Sequence, residues 1–138
     1  MGVDLLTSEG LDYFRSKVKE CDVFVNVSHI PNNTQERLLK IAHEEMKGHV
    51  FNIGSIAEYT KWEWYDKAYT EEKRSLRETS LNLCSESFKT THIVVGGFQD
   101  YDDNNPDRMN PEEIVKLIKY IINSPVNIPI VGIEKIID

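Results

Sequence analysis

Cysteine is nearly absent from this 138-residue chain: Cys21 and Cys84 are the only two, with neither a C-x-x-C pair nor Cys/His ligand spacing around them. That excludes a disulfide-stapled scaffold and a zinc finger or ribbon. Both thiols fall in periodic segments and are expected to be buried, in a reducing compartment. Positive charge is scarce too. Sixteen Lys and Arg against 23 Asp and Glu leave a net charge of −7, which argues against sequence-independent nucleic-acid binding and against an anionic membrane surface. No apolar run approaches the roughly 20 residues of a membrane helix. Met1 to Gly10 holds two acids and no basic stretch leading into an apolar one, so no secretory signal is read there. A cytoplasmic location is the expectation. His29, His43, His49 and His92 lack ligand spacing, and the acidic loop Asp100, Asp102, Asp103 and Asp107 lacks the glycine and closing glutamate of a calcium loop, so no metal site is expected. Repeats, linkers and low-complexity tracts are absent as well.

What is present is an alternation of short β-branched runs with longer helical patterns over one domain, residues 1–138, which predicts α/β architecture with a parallel sheet. Four strands are expected, at Asp22 to Val27, His49 to Ile53, His92 to Val95 and Ile128 to Ile133. The first and third are apolar enough to be covered on both faces. Helices are expected from Ser8, as N-cap, to about Glu20, from Thr34 to just before Gly48, from Tyr69 to about Phe88, and from Pro111 onward. Leu11, Phe14 and Val18 in the first, and Ile114, Leu117, Ile118 and Ile121 in the last, have the spacing of a buried stripe.

The most informative window is Gly48-His-Val-Phe-Asn-Ile-Gly-Ser55 followed by Tyr69-Thr-Glu-Glu-Lys73. It places a serine at a strand end and a Tyr and Lys on one face of a helix, four residues apart. A phenol titrates near ~10, so acid–base work at neutral pH requires a neighbouring cation that favours the phenolate. Lys73 is that cation, and the hydroxyl of Ser55 can hold a carbonyl or alcohol against the phenol.

This order and spacing resembles the short-chain dehydrogenase/reductase family, in which a catalytic serine ends a strand and precedes a Y-x-x-x-K helix. Asp22-Val-Phe-Val-Asn-Val-Ser-His29 looks like the family's D-x-L-V-N-N-A-G segment, Ile93-Val-Val-Gly-Gly97 like the strand and turn beside its nicotinamide site, and Met109-Asn-Pro-Glu-Glu-Ile114 like its late helix start. The likeness implies a Rossmann-like three-layer domain reduced to about four parallel strands. It implies NAD or NADP as cofactor and a small carbonyl or alcohol substrate. By resemblance, Tyr69 is the acid/base, Lys73 its partner and ribose ligand, Ser55 the substrate-orienting hydroxyl and Asn33 the fourth catalytic residue, with Asn26, Lys73, Gly96 and Gly97 at the cofactor.

The sequence departs from the family in containing no G-x-x-x-G-x-G turn. The backbone N–H groups of such a turn hold the pyrophosphate, so tight dinucleotide binding by one subunit is not expected. Val27, Ser28 and His29 replace the second Asn, the Ala and the Gly of the N-N-A-G segment, Gly96 stands at a proline position, and Tyr101 stands at a threonine position. The aromatic cluster Tyr59, Trp62, Trp64, Tyr65 and Tyr69 either walls a substrate cleft or plugs an empty cofactor space. With fewer strands, the one at Val23 to Val27 becomes an apolar edge, and successive right-handed crossovers would leave one sheet face bare. A homo-oligomer or docking to a larger partner would hide both. Two functional readings follow: an NAD(P)-dependent carbonyl/alcohol oxidoreductase using Ser55, Tyr69 and Lys73, or a non-catalytic relative acting as an oligomeric binding or structural module.

Overall fold

Helix and strand alternate along the chain as the apolar periodicities require. The structure is a computed structural model and describes residues 2–27, 30–59, 66–97 and 104–135. The elements are α1 (Ser8–Val18), β1 (Val23–Asn26), α2 (Thr34–Glu45), β2 (Gly48–Ile53), a 3-10 turn (Ile56–Tyr59), α3 (Lys67–Leu83), β3 (Phe88–Val95), α4 (Pro111–Ile122) and β4 (Ile130–Ile133). The four strands pair in parallel in the order β1-β2-β3-β4. The expected Rossmann-like α/β domain with four parallel strands is what the chain forms.

Several boundaries differ from expectation for identifiable reasons. The N-cap of α1 is Thr7 rather than Ser8, its hydroxyl accepting from Gly10 N at 3.0 Å. Helix α3 starts at Lys67 because Asp66 caps it, accepting from Ala68 N at 2.7 Å and Tyr69 N at 3.3 Å. It ends at Leu83, and Ser85 then turns the chain: its N–H donates to Phe88 O at 2.8 Å and its Oγ accepts from Phe88 N at 3.2 Å. Residues 88–91, expected as helix end and connection, therefore belong to β3. Burial of Phe88 in the core decides for strand. Cys21, expected buried, is exposed in the turn after α1, and Cys84 is half-buried.

Alternation along the strands builds two cores. Val50 and Phe88 point to one face, where they meet Val18, Leu39, Ala42 and Leu76 of α1, α2 and α3. Phe51, Ile53, Ile93 and Val95 point to the other and meet Met109, Ile114, Ile118 and Ile121. Helix α4 thus lies opposite the other three, and the β3–α4–β4 crossover has the opposite hand to the two before it. The expectation of all helices on one face is overturned: the dense apolar stripe of α4 covers β2, β3 and β4 on the second face. That cover stops short of β1. Val23 and Val25 are 38% and 40% exposed and Val27 beside them 56%, so β1 is not covered on both faces as its composition suggested. Strand β3 is: from Thr90 to Val95 every residue is buried.

Candidate functional site

The carboxyl ends of β1 and β2 and the first turns of α2 and α3 converge on Lys73. Its position one helical turn after Tyr69 sends both side chains to one side of α3, and the ammonium lies 5.6 Å from the Tyr69 ring centroid. The side chain runs inward. Lys73 is 6% exposed, and Nζ donates to Gln35 Oε1 at 2.7 Å and to Ile53 O at 3.0 Å. Burial pulls its pKa down from 10.5 to about 8, against the opposing charges of Glu58 and Glu72. This lysine is no part of a solvated helix start.

Gln35 is the residue that sequence reasoning missed. Besides taking the lysine, its Nε2 donates to Asn26 O at 2.6 Å and to Ile53 O at 3.0 Å, stitching α2 across the ends of β1 and β2. Asn26 completes the stitch, its Nδ2 donating to Gln35 O at 2.8 Å and to Asn52 Oδ1 at 2.9 Å, while Asn52 Nδ2 donates to Ser80 Oγ at 3.1 Å. A continuous buried polar ladder therefore joins α2, the sheet and α3. Glu36 adds to it from the next position. Burial alone would push its pKa up, but hydrogen bonds from Thr79 and Ser75 and the Lys40 ammonium hold it below the ordinary carboxylate value. Asn33 is the α2 N-cap residue, exposed and left-handed at φ 55°, and its side chain makes no capping bond. It borders the same small void as Tyr69, Lys73 and Gln35.

Ser55 is buried two residues past β2, and its surroundings define a capping box. Its Oγ accepts from Ala57 N at 3.2 Å, and Glu58 reaches back to accept from Ser55 N at 2.7 Å. The S-x-x-E spacing of Ser55 and Glu58 was the available signal. The Glu58 side chain is fully buried; both its oxygens lie 2.9 Å from His92 Nε2, and Arg77 lies 3.5 Å away. Because a carboxylate only accepts, His92 donates through Nε2, and its buried Nδ1 has no partner among the described residues. Arg74 Nε donates to Glu58 O at 2.7 Å, and the Arg77 guanidinium sits 4.7 Å from the ring centroid of Tyr59. Gly54 is required here: a Cβ would stand 2.2 Å from Glu58 Oε2 and 2.3 Å from His92 Nε2.

The structure thus brings Ser55, Tyr69, Lys73 and Asn26 to the same end of the sheet, with Asn33 at its rim. Gly96, buried, and Gly97 follow β3. Trp62, Trp64, Tyr65, Tyr101, His29, Asp100, Asp102 and Asp103 lie outside the described residues. Among the described residues no cluster of His, Cys, Asp or Glu could hold a metal ion, and no helix is long and apolar enough to cross a membrane. Gln35 and a backbone carbonyl occupy the lysine that would meet a ribose, and the void among Asn33, Gln35, Tyr69 and Lys73 measures about 10 Å³.

No protein-family model and no curated protein matches the sequence. Solved structures do match in shape. RhlG of Pseudomonas aeruginosa, in an NADP active-site complex, superposes with a TM-score of 0.78 at 16% identity, over 97% of this chain and 74% of its own. L-sorbose reductase from Gluconobacter frateurii, complexed with NADPH and L-sorbose, gives 0.76 at 16% over 96% and 74%. A short-chain dehydrogenase/reductase (glucose/ribitol dehydrogenase) from Brucella melitensis gives 0.76 at 15% over 97% and 72%. At these identities the likeness is one of fold, and over nearly its whole length this chain has the fold of the short-chain dehydrogenase/reductases.

Proposed function

We propose that this protein is a non-catalytic, short-chain dehydrogenase/reductase-like domain that serves as a binding or structural module without a dinucleotide. One observation carries the reading: the Lys73 ammonium is turned inward and held by Gln35 Oε1 at 2.7 Å and Ile53 O at 3.0 Å, acceptors that take the place of ribose hydroxyls. Ser55 is in turn engaged as the cap of the 3-10 turn. Freeing Lys73 would leave Gln35 Oε1 buried without a donor, which costs about 1–3 kcal/mol. As a module, the domain presents the bare flank of β1, and association through it, with a second copy or a larger partner, is part of the proposal.

The second reading, an NAD(P)-dependent carbonyl/alcohol oxidoreductase, is favoured by the Tyr69 ring lying over Lys73 and by the nicotinamide complexes among the structures of like fold. Calorimetric titration of the protein with NADH and with NADPH separates the two, with the mass of the assembly measured in the same buffer. The module reading predicts no saturable heat up to millimolar cofactor and a mass above that of one chain. Saturable binding in the micromolar range, abolished by Lys73→Ala, would overturn it in favour of the oxidoreductase.

A further inference from the structure

A groove of about 470 Å³ opens at the carboxyl ends of β3 and β4, beside the start of α4. It shares no lining residue with the Lys73 void and lies on the sheet face opposite α3. Its size falls within the range of small-molecule sites, and crevices outside strand carboxyl ends are where open α/β sheets take ligands.

The lining has three chemistries. Met109 and Ile133 supply an apolar floor, Arg108 and Lys135 supply positive charge, and Glu113 and Glu134 supply negative charge. Glu113 is engaged with Lys116 at 2.7 Å, whereas neither Glu134 nor Lys135 forms an ion pair among the described residues. Gly96 sets part of this arrangement. The stem of Glu134 lies over Gly96, so close that a Cβ there would be 2.9 Å from its Cγ, and Arg108 Cγ stands 3.8 Å from the corresponding point on Gly97. Met109 N donates to Gly97 O at 3.0 Å and fixes the floor there. Gly96 thus admits the Glu134 arm over the apolar base.

We propose that this groove binds a small zwitterion of the free amino-acid type. Its ammonium would face Glu134, its carboxylate would face Lys135, and its apolar part would rest on Met109 and Ile133. Opposite charges on two rims favour a ligand bearing both signs over a simple anion, which Glu113 and Glu134 would repel. The proposal goes beyond the module reading.

The test is an amide NMR titration of the full chain with L-leucine, using isovalerate and isoamylamine as probes that carry one charge each. The expected result is saturable shifts at Met109, Glu134 and Lys135, about tenfold weaker binding of either single-charge probe, and a similar loss in Glu134→Gln and Lys135→Ala. Glu134 and Lys135 both lie at the surface, so these variants fold. Absence of saturable shifts in the groove would overturn the proposal. So would isovalerate binding as tightly as leucine, which would make this an anion site, or unaltered binding in Glu134→Gln.

Discussion

At the scale of single residues, the sequence makes Ser55, Tyr69 and Lys73 conspicuous because their spacing is local: two share a helix face and the third ends a strand. Their partners are invisible in it. Gln35 is 38 positions from Lys73, and His92 is 34 positions from Glu58; no periodicity connects such pairs until the sheet is assembled. Glu58 could have been found, since a serine followed three residues later by a glutamate is a capping signal. Its double use, as cap and as centre of a buried Arg/His cluster, could not. Removing it is predicted to be severe. Glu58→Ala strands His92 and Arg77 and frees Ser55 N, and the expected loss is about 3–5 kcal/mol, the range for breaking a buried charge pair from one side. Denaturant unfolding would measure this; a loss below about 1 kcal/mol would mean that the cluster is not the anchor of the 3-10 turn.

Among the elements, existence and order were legible and ends and faces were less so. Period-2 and period-3.6 patterns place four strands and four helices, yet the turn at Ser85 converts an expected helix end into the first half of β3, and only the burial of Phe88 decides it. The side of the sheet chosen by α4 was also hidden. Its stripe of Ile114, Ile118 and Ile121 requires cover but does not say which face supplies it, and a crossover rule that holds for the first two connections fails for the third. The start of α3 is a local matter and can be tested as one. Asp66→Ala removes the acceptor of Ala68 N and Tyr69 N, and a cost of about 1 kcal/mol is expected. Fraying of the turn that holds Tyr69 should accompany it, read as faster amide exchange at Ala68 and Tyr69 with Leu76 unchanged.

For the whole molecule, the distribution of polar groups matters more than the net charge of −7. Asn26, Gln35, Asn52, Lys73 and Ser80 form one ladder inside the domain, so the corner that carries the family resemblance in sequence also ties α2, the sheet and α3 together. Global stability should therefore report on it. The unfolded chain keeps Lys73 protonated up to about 10.5, whereas in the folded protein burial brings the transition to about 8. Between those values folding releases a proton, so higher pH favours the folded state. The contribution is fully present above about 10.5 and is lost as pH falls through about 8, amounting to roughly 3 kcal/mol.

The most direct test of an inward-held lysine is the unfolding free energy of wild type and of Lys73→Met measured from pH 7 to 10.5. The account predicts that wild-type stability climbs relative to the variant across this interval, by an amount on the order of 3 kcal/mol. Parallel curves would contradict it, because a lysine that titrates alike in both states is one that faces water, available to a cofactor and not locked to Gln35.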